Sequence, residues 1–212
     1  MVQYKIAYEN PQERYLLIEC LFEDVDKPFL EIHLPAWRPG RYELQNYARN
    51  VHYFKATDQD GTPLAVKKTH KNTWRIETRA AQKVLISYSY YAFQLDAGGS
   101  LLNDTQVYVN PINCLVYVKD KINEECTLEL IVPKNYEVAC GLPKESKFKL
   151  KAENYHQLVD SPLIASAGLR HRTYQVGGIP FHIWIQGDWQ PDWEILLTDF
   201  EKFTKWQMDI FG

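Results

Sequence analysis

Hydrolytic and redox chemistry in proteins depends on a few side-chain types at defined spacings, and the histidines are the natural place to begin. There are six: His33, His52, His70, His156, His171 and His182. A zinc helix of the His-Glu-x-x-His kind sets two imidazoles one turn apart on one face. None of the six is followed by Glu, and no two stand four residues apart. His171 and His182 can meet across a hairpin, but two ligands without a local carboxylate make a poor zinc site, so no metal is assigned to this chain. The four cysteines, Cys20, Cys114, Cys126 and Cys140, contain no C-x-x-C pair. Each sits in a strand-like run and reads as a small buried reduced thiol, which suits a cytoplasmic protein. No Gly-x-Ser-x-Gly elbow and no phosphate-cradling glycine motif occurs, and Gly98-Gly99-Ser100 reads as a loop. No catalytic residue is therefore assigned.

The most unusual stretch is Leu34-Pro35-Ala36-Trp37-Arg38-Pro39-Gly40-Arg41-Tyr42. Its prolines forbid helix and stiffen the exit from the preceding strand, and Pro39-Gly40 suits a type II turn. Two readings stand side by side. In one the loop is a rigid corner, with Trp37 buried and Arg38 or Arg41 paired with acids. In the other it walls a ligand cleft in which Arg and Tyr receive a peptide end, since stiff loops that display polar groups are common binding elements.

The elements that must position this loop read mainly as strands. Leu30, Ile32 and Leu34 alternate with Glu31 and His33, and Trp74, Ile76 and Thr78 alternate with Arg75 and Glu77. The longest candidate, Lys83 to Phe93, puts Val84, Ile86, Tyr88 and Tyr90 on one face. Further strands are expected at Arg14–Phe22, Gln106–Val109, Cys114–Lys119, Cys126–Val132 and Phe148–Lys151. His171–Val176 and Ile179–Gln186 bracket Gly177-Gly178 as a hairpin. Short strands about 8–12 residues apart predict an antiparallel β-sandwich. After Gly187 the period changes. Asp188 or Gln190 can cap a helix and Pro191 suits its first position, with Trp193, Leu196, Leu197, Phe200 and Phe203 at helical spacing. A helix with so wide an apolar stripe needs a surface to lie on. It is expected to fold back on the sandwich or to pair with a second copy, and the chain reads as incomplete. Net charge is −3 with no basic run beyond Lys67-Lys68, which argues against nucleic acid or an anionic membrane as partner. No apolar run approaches the roughly 20 residues of a membrane helix. The first residues, Met1 to Lys5, have no leader pattern.

Leu34-Pro35-Ala36-Trp37-x-Pro39-Gly40-x-Tyr42 followed by Ala48-Arg49-Asn50-Val51 resembles the signature of the N-terminal domain of glycyl-aminopeptidase-like zinc metallopeptidases. Asp60-Gly61-x-Pro63-Leu64, Trp74-Arg75-Ile76, Tyr108-Val109-Asn110-Pro111 and Tyr155 to Leu163 follow in the family's order, and Asp199 to Gly212 resembles its first catalytic-domain helix. The resemblance implies a β-domain over residues 1–168 and the start of a thermolysin-like catalytic domain over 169–212. Zinc, its His-Glu-x-x-His helix and a PDZ domain would lie elsewhere in the parent protein. The parent would remove small N-terminal residues, glycine or alanine, from peptides, and this chain alone would be inactive. Its partners would be the peptide substrate and the catalytic domain. Polarity and loop position make Tyr42, Arg49, Asn103 and Asp104 the candidate substrate contacts. The alternative is a self-standing β-sandwich module that binds peptides or a protein without catalysis.

Overall fold

A computed structural model describes residues 1–38 and 40–211. Pro39 of the expected Pro39-Gly40 turn and the terminal Gly212 lie outside the described residues. In chain order the strands are β1 (Val2–Ala7), β2 (Tyr15–Phe22), β3 (Phe29–His33), β4 (Val51–Thr57), β5 (Val66–His70), β6 (Thr73–Glu77), β7 (Val84–Tyr91) and β8 (Leu101–Leu102). They continue with β9 (Val107–Val109), β10 (Cys126–Leu130), β11 (Glu137–Cys140), β12 (Lys144–Ser146), β13 (Lys149–Ala152), β14 (Leu163–Ser166), β15 (Arg170–Val176) and β16 (Ile179–Ile185). The helices are α1 (Pro111–Cys114), α2 (Tyr155–Val159) and α3 (Trp193–Phe211). Among the described residues no helix is long and apolar enough to cross a membrane.

The protein is mainly β, as the alternation predicts. A seven-stranded sheet runs β12-β13-β10-β1-β2-β7-β4, a four-stranded sheet β11-β14-β9-β8, and a three-stranded sheet β3-β6-β5. Pairing is antiparallel except for β1 with β10, which run parallel. Alternating side chains make one apolar face of the large sheet. Leu16, Ile18, Cys20 and Phe22 stand opposite Tyr90, Tyr88, Ile86 and Val84, and Val2, Tyr4 and Ile6 continue the face on β1. Each fully buried aliphatic or Phe side chain contributes about 1.5–3 kcal/mol. Residues of the four- and three-stranded sheets join the same core, including Leu30, Ile32, Ile76, Val107 and Leu163. Among the described residues nothing beyond Ala165 belongs to it.

Two expectations are corrected. Cys114–Lys119 is not a strand. Asn110-Pro111 opens the single-turn helix α1, and the backbone that follows is satisfied by tyrosines: Tyr88 Oη donates to Cys114 O (2.5 Å), Tyr155 Oη to Leu115 O (2.6 Å) and Tyr4 Oη to Val116 O (2.9 Å). Three buried phenols thus occupy three consecutive carbonyls that a sheet ladder would have used. A lone bridge between His33 and Tyr117 is what remains of strand pairing there. The second correction concerns α3. Its cap is Asp192, whose Oδ1 accepts from Glu194 N (3.1 Å) and Ile195 N (3.2 Å). Gln190 is not free to cap, because its Oε1 accepts from Arg170 Nη1 at 3.0 Å. The helix therefore begins after Pro191.

The expected hairpin is β15–β16, with Gly177 and Gly178 both at positive φ (60° and 81°), as a two-residue turn that follows the sheet twist requires. Helix α3 lies on this hairpin rather than on the sandwich. Tyr174 Oη and Thr204 Oγ1 are 2.8 Å apart, and the Arg172 guanidinium sits 5.1 Å over the Trp193 ring. Ile195, Phe203, Trp206 and Ile210 share the opposite side and are exposed.

Candidate functional site

The unusual loop and the glycine pair meet. Residues 96–100 turn tightly because Asp96 Oδ1 accepts from Gly98 N (2.6 Å), and Asp96 O from Gly99 N (3.1 Å). The short helix α1 pins the loop from below. Asn110 Nδ2 donates to Ala97 O (2.9 Å), Asn113 Nδ2 to Gly98 O (2.8 Å), and Ser100 Oγ accepts from Asn110 N (3.0 Å). Tyr88, at the other end of α1, fixes that helix to the sheet through Cys114 O.

Above the loop lie the arginines of the Trp37–Tyr42 segment. Arg38 Nη2 donates to Ala97 O at 3.2 Å, and Arg41 Nη2 stands 3.8 Å from Asp96 Oδ1. Both guanidiniums crowd Gly98. A Cβ there would overlap Arg41 Nη2 outright and approach Arg38 Nη2 to 2.9 Å, so a side chain at 98 and this arginine pair are mutually exclusive. The Asp96 carboxyl is held below the usual carboxylate range by hydrogen bonds from Gln94 and Gly98, with Arg41 adding to the effect. Burial raises the Tyr47 phenol, and the charges of Arg38 and Arg41 partly oppose that.

Between the two segments opens a cleft of about 470 Å³. Arg41, Arg49, Glu43, Gln45 and Asn46 line one side, and Gln94, Gly98, Gly99, Ser100 and Asn113 the other. Asn113 is buried, and its Oδ1 has no hydrogen-bond partner among the described residues. Tyr90 closes the back, its Oη accepting from Asn50 Nδ2 at 3.3 Å. The lining is polar and carries both signs of charge, which suits a small ligand with a charged end and peptide-like groups.

The sequence candidates separate in space. Arg49 lines this cleft. Tyr42 is 94% exposed and stands between two lining residues without lining the cleft itself. Asn103 is engaged in its own turn, its Oδ1 accepting from Thr105 N (3.0 Å), Thr105 Oγ1 (2.9 Å) and Gln106 N (2.9 Å). Asp104 borders a different depression of about 430 Å³, with Ser166, Gln186 and Asp188. Trp37 is not buried, as the rigid-corner reading expects, but 50% exposed beside a third groove with Tyr117 and Tyr155. The Asp96–Ser100 loop was not among the candidates. Its sequence signal was an Asp followed two residues later by a glycine pair.

The two hairpin histidines do meet, His171 Nε2 and His182 Nδ1 lying 2.9 Å apart with His171 stacked on Trp184. Among the described residues no three His, Cys, Asp or Glu side chains gather as a metal site would require. All four cysteines are free thiols, and burial pushes that of Cys126 up to about 12.

A family profile described as Peptidase M61 N-terminal domain matches residues 3–167. A solved aminopeptidase N family protein from Idiomarina loihiensis has the same fold, with a TM-score of 0.93 at 24% identity over 100% of this chain and 37% of that one. An M1 zinc metallopeptidase from Deinococcus radiodurans aligns at a TM-score of 0.45 and 13% identity, over 92% of this chain and 50% of that one. This chain therefore spans half or less of the length of these two solved proteins. No curated protein sequence matches it.

Proposed function

This chain belongs to the Peptidase M61 N-terminal domain family, and from that premise we propose that it is the non-catalytic β-rich part of a zinc aminopeptidase that releases small N-terminal residues, glycine or alanine, from peptides. The family match over residues 3–167 carries the reading. Support for the aminopeptidase assignment comes from the Idiomarina loihiensis protein, an aminopeptidase N family member whose chain contains this whole fold within 37% of its length. Among the described residues no three His, Cys, Asp or Glu side chains gather, and this reading assigns zinc to a part of the parent outside this span and no catalytic step to this chain.

The domain boundary falls near residue 168. The profile match stops at 167, and the core ends at Ala165. The β15–β16 hairpin and α3 then open the catalytic domain, and the rest of that domain covers the exposed stripe of α3. In the isolated chain a second copy takes its place. A PDZ domain completes the parent protein. Four free thiols suit a reducing cytoplasm. Of the four candidate contacts, we retain Arg49 as a wall of the substrate cleft.

The test compares two proteins on glycine and alanine nitroanilides: the parent polypeptide and residues 1–212 supplied with zinc. Turnover by the parent that a chelator abolishes and zinc restores is the expected result, with none from residues 1–212. Turnover that tracks the short chain would overturn the assignment.

A further inference from the structure

We propose that the cleft between the Arg41–Asn50 segment and the Asp96–Ser100 loop binds the free C-terminal carboxylate of a short peptide. This rests on the aminopeptidase reading and narrows its substrates to peptides whose far end can reach the β-rich domain.

The charges carry the proposal. The Arg38 and Arg41 guanidiniums converge on Gly98, and like charges this close repel unless an anion lies beside them. Asp96 is the carboxylate near them, yet it sits 3.8 Å from Arg41 and is already engaged by Gln94 Nε2 and Gly98 N. Glu43 also faces the cleft and accepts from Gln45 Nε2 at 3.0 Å. Arg49 makes no ion pair among the described residues. Arg41 and Arg49 against Glu43 leave the cleft lining one positive charge, which suits a monoanion better than a phosphate dianion. A guanidinium fork matches a carboxylate with two parallel hydrogen bonds. The other polar walls are neutral amides, Gln45, Asn46 and Asn113, which both donate and accept and so fit the peptide groups next to a chain end. The Asn113 Oδ1, buried and unpaired, gives the floor an acceptor still to be satisfied.

The experiment is an NMR titration of the 212-residue chain with acetyl-triglycine, with its C-terminal amide, and with inorganic phosphate. The acid should bind about tenfold or more tightly than the amide and shift the amide resonances of Gly98 and Gly99. Arg41→Gln and Arg49→Gln should each weaken the acid about tenfold, the range for a hydrogen bond to a charged group, while the amide is unaffected. If Arg41→Gln unfolds, the exposed Arg49→Gln decides alone. Equal affinity for acid and amide, no binding of either by the folded chain, or tighter binding of phosphate would overturn the proposal. A parent enzyme that cleaves tripeptide acids and amides equally well would overturn it and leave the aminopeptidase reading intact. A parent that cleaves neither would overturn that reading, and the titration would still decide the cleft.

Discussion

Gly98 and Gly99 look interchangeable in the sequence and are not in the fold. Neither has a positive φ, so backbone conformation does not demand glycine at either position. What differs is the neighbour. At 98 a methyl group would meet the ends of two flexible arginines, which can swing aside; at 99 it would stand 2.5 Å from the Gln94 carbonyl, which cannot. Gly98→Ala should change stability by less than about 1 kcal/mol while displacing Arg38 and Arg41. Gly99→Ala should cost about 1–3 kcal/mol from overpacking. Urea denaturation of the two variants checks this, and a larger loss at 98 than at 99 would contradict it. Residue type marks the loop but not its partners. Arg49 could be picked as a polar loop residue, but nothing in its own neighbourhood says that Gly98 and Asn113 face it. Asn103 has the same polarity and loop position, yet it spends its oxygen on a local turn.

At the scale of elements, periodicity was a dependable guide where a strand has one wet face. The buried sets of β3, β6 and β7 are those the alternation marks, whereas β2, a mostly apolar run in the sequence, buries only its even-numbered residues fully. Periodicity gives no reading over β4, where Tyr53 takes a positive φ (54°) and a bulge between His52 and Lys55 breaks the pattern. It failed at Cys114–Lys119, where apolar residues are buried without a ladder. The α3 cap makes a direct prediction. Asp192→Ala should lower stability by about 1 kcal/mol, and Asp192→Ser should restore most of it. Amide exchange at Glu194 and Ile195 should report the loss. The hairpin predicts a pH dependence. Burial, then His182, Lys144 and Arg172, hold the His171 imidazole below its ordinary value, and burial with Lys119 does the same to His33. The unfolded chain therefore takes up these protons first as pH falls. Stability that is complete above about pH 6.5 should decline below it and level off once the folded imidazoles are protonated. His171→Asn should flatten part of that decline in melting curves between pH 7.5 and 5. A profile identical to that of the unsubstituted chain would remove His171 from the account.

Across the whole molecule, α3 presents an uncovered apolar side to solvent. One side docks on β15, and the other leaves Trp206 71% exposed in line with Ile195, Phe203 and Ile210. A contiguous apolar stripe of that kind tends to find a partner. Sedimentation of residues 1–212 should show concentration-dependent association that Trp206→Glu with Ile210→Glu abolishes without loss of secondary structure. A monomer at all concentrations would show that the stripe is tolerated in water. The β-rich architecture, the hairpin, the C-terminal helix and the family are legible in the order of residues, because alternation, turn residues and motif order are local in the chain. Where the arginines of the Trp37–Tyr42 loop point, which carbonyls the buried tyrosines satisfy and that α3 rests on the hairpin emerge only in the folded chain. Those outcomes depend on contacts between residues far apart in sequence, such as Arg41 with Gly98 and Tyr4 with Val116, and no local pattern encodes them.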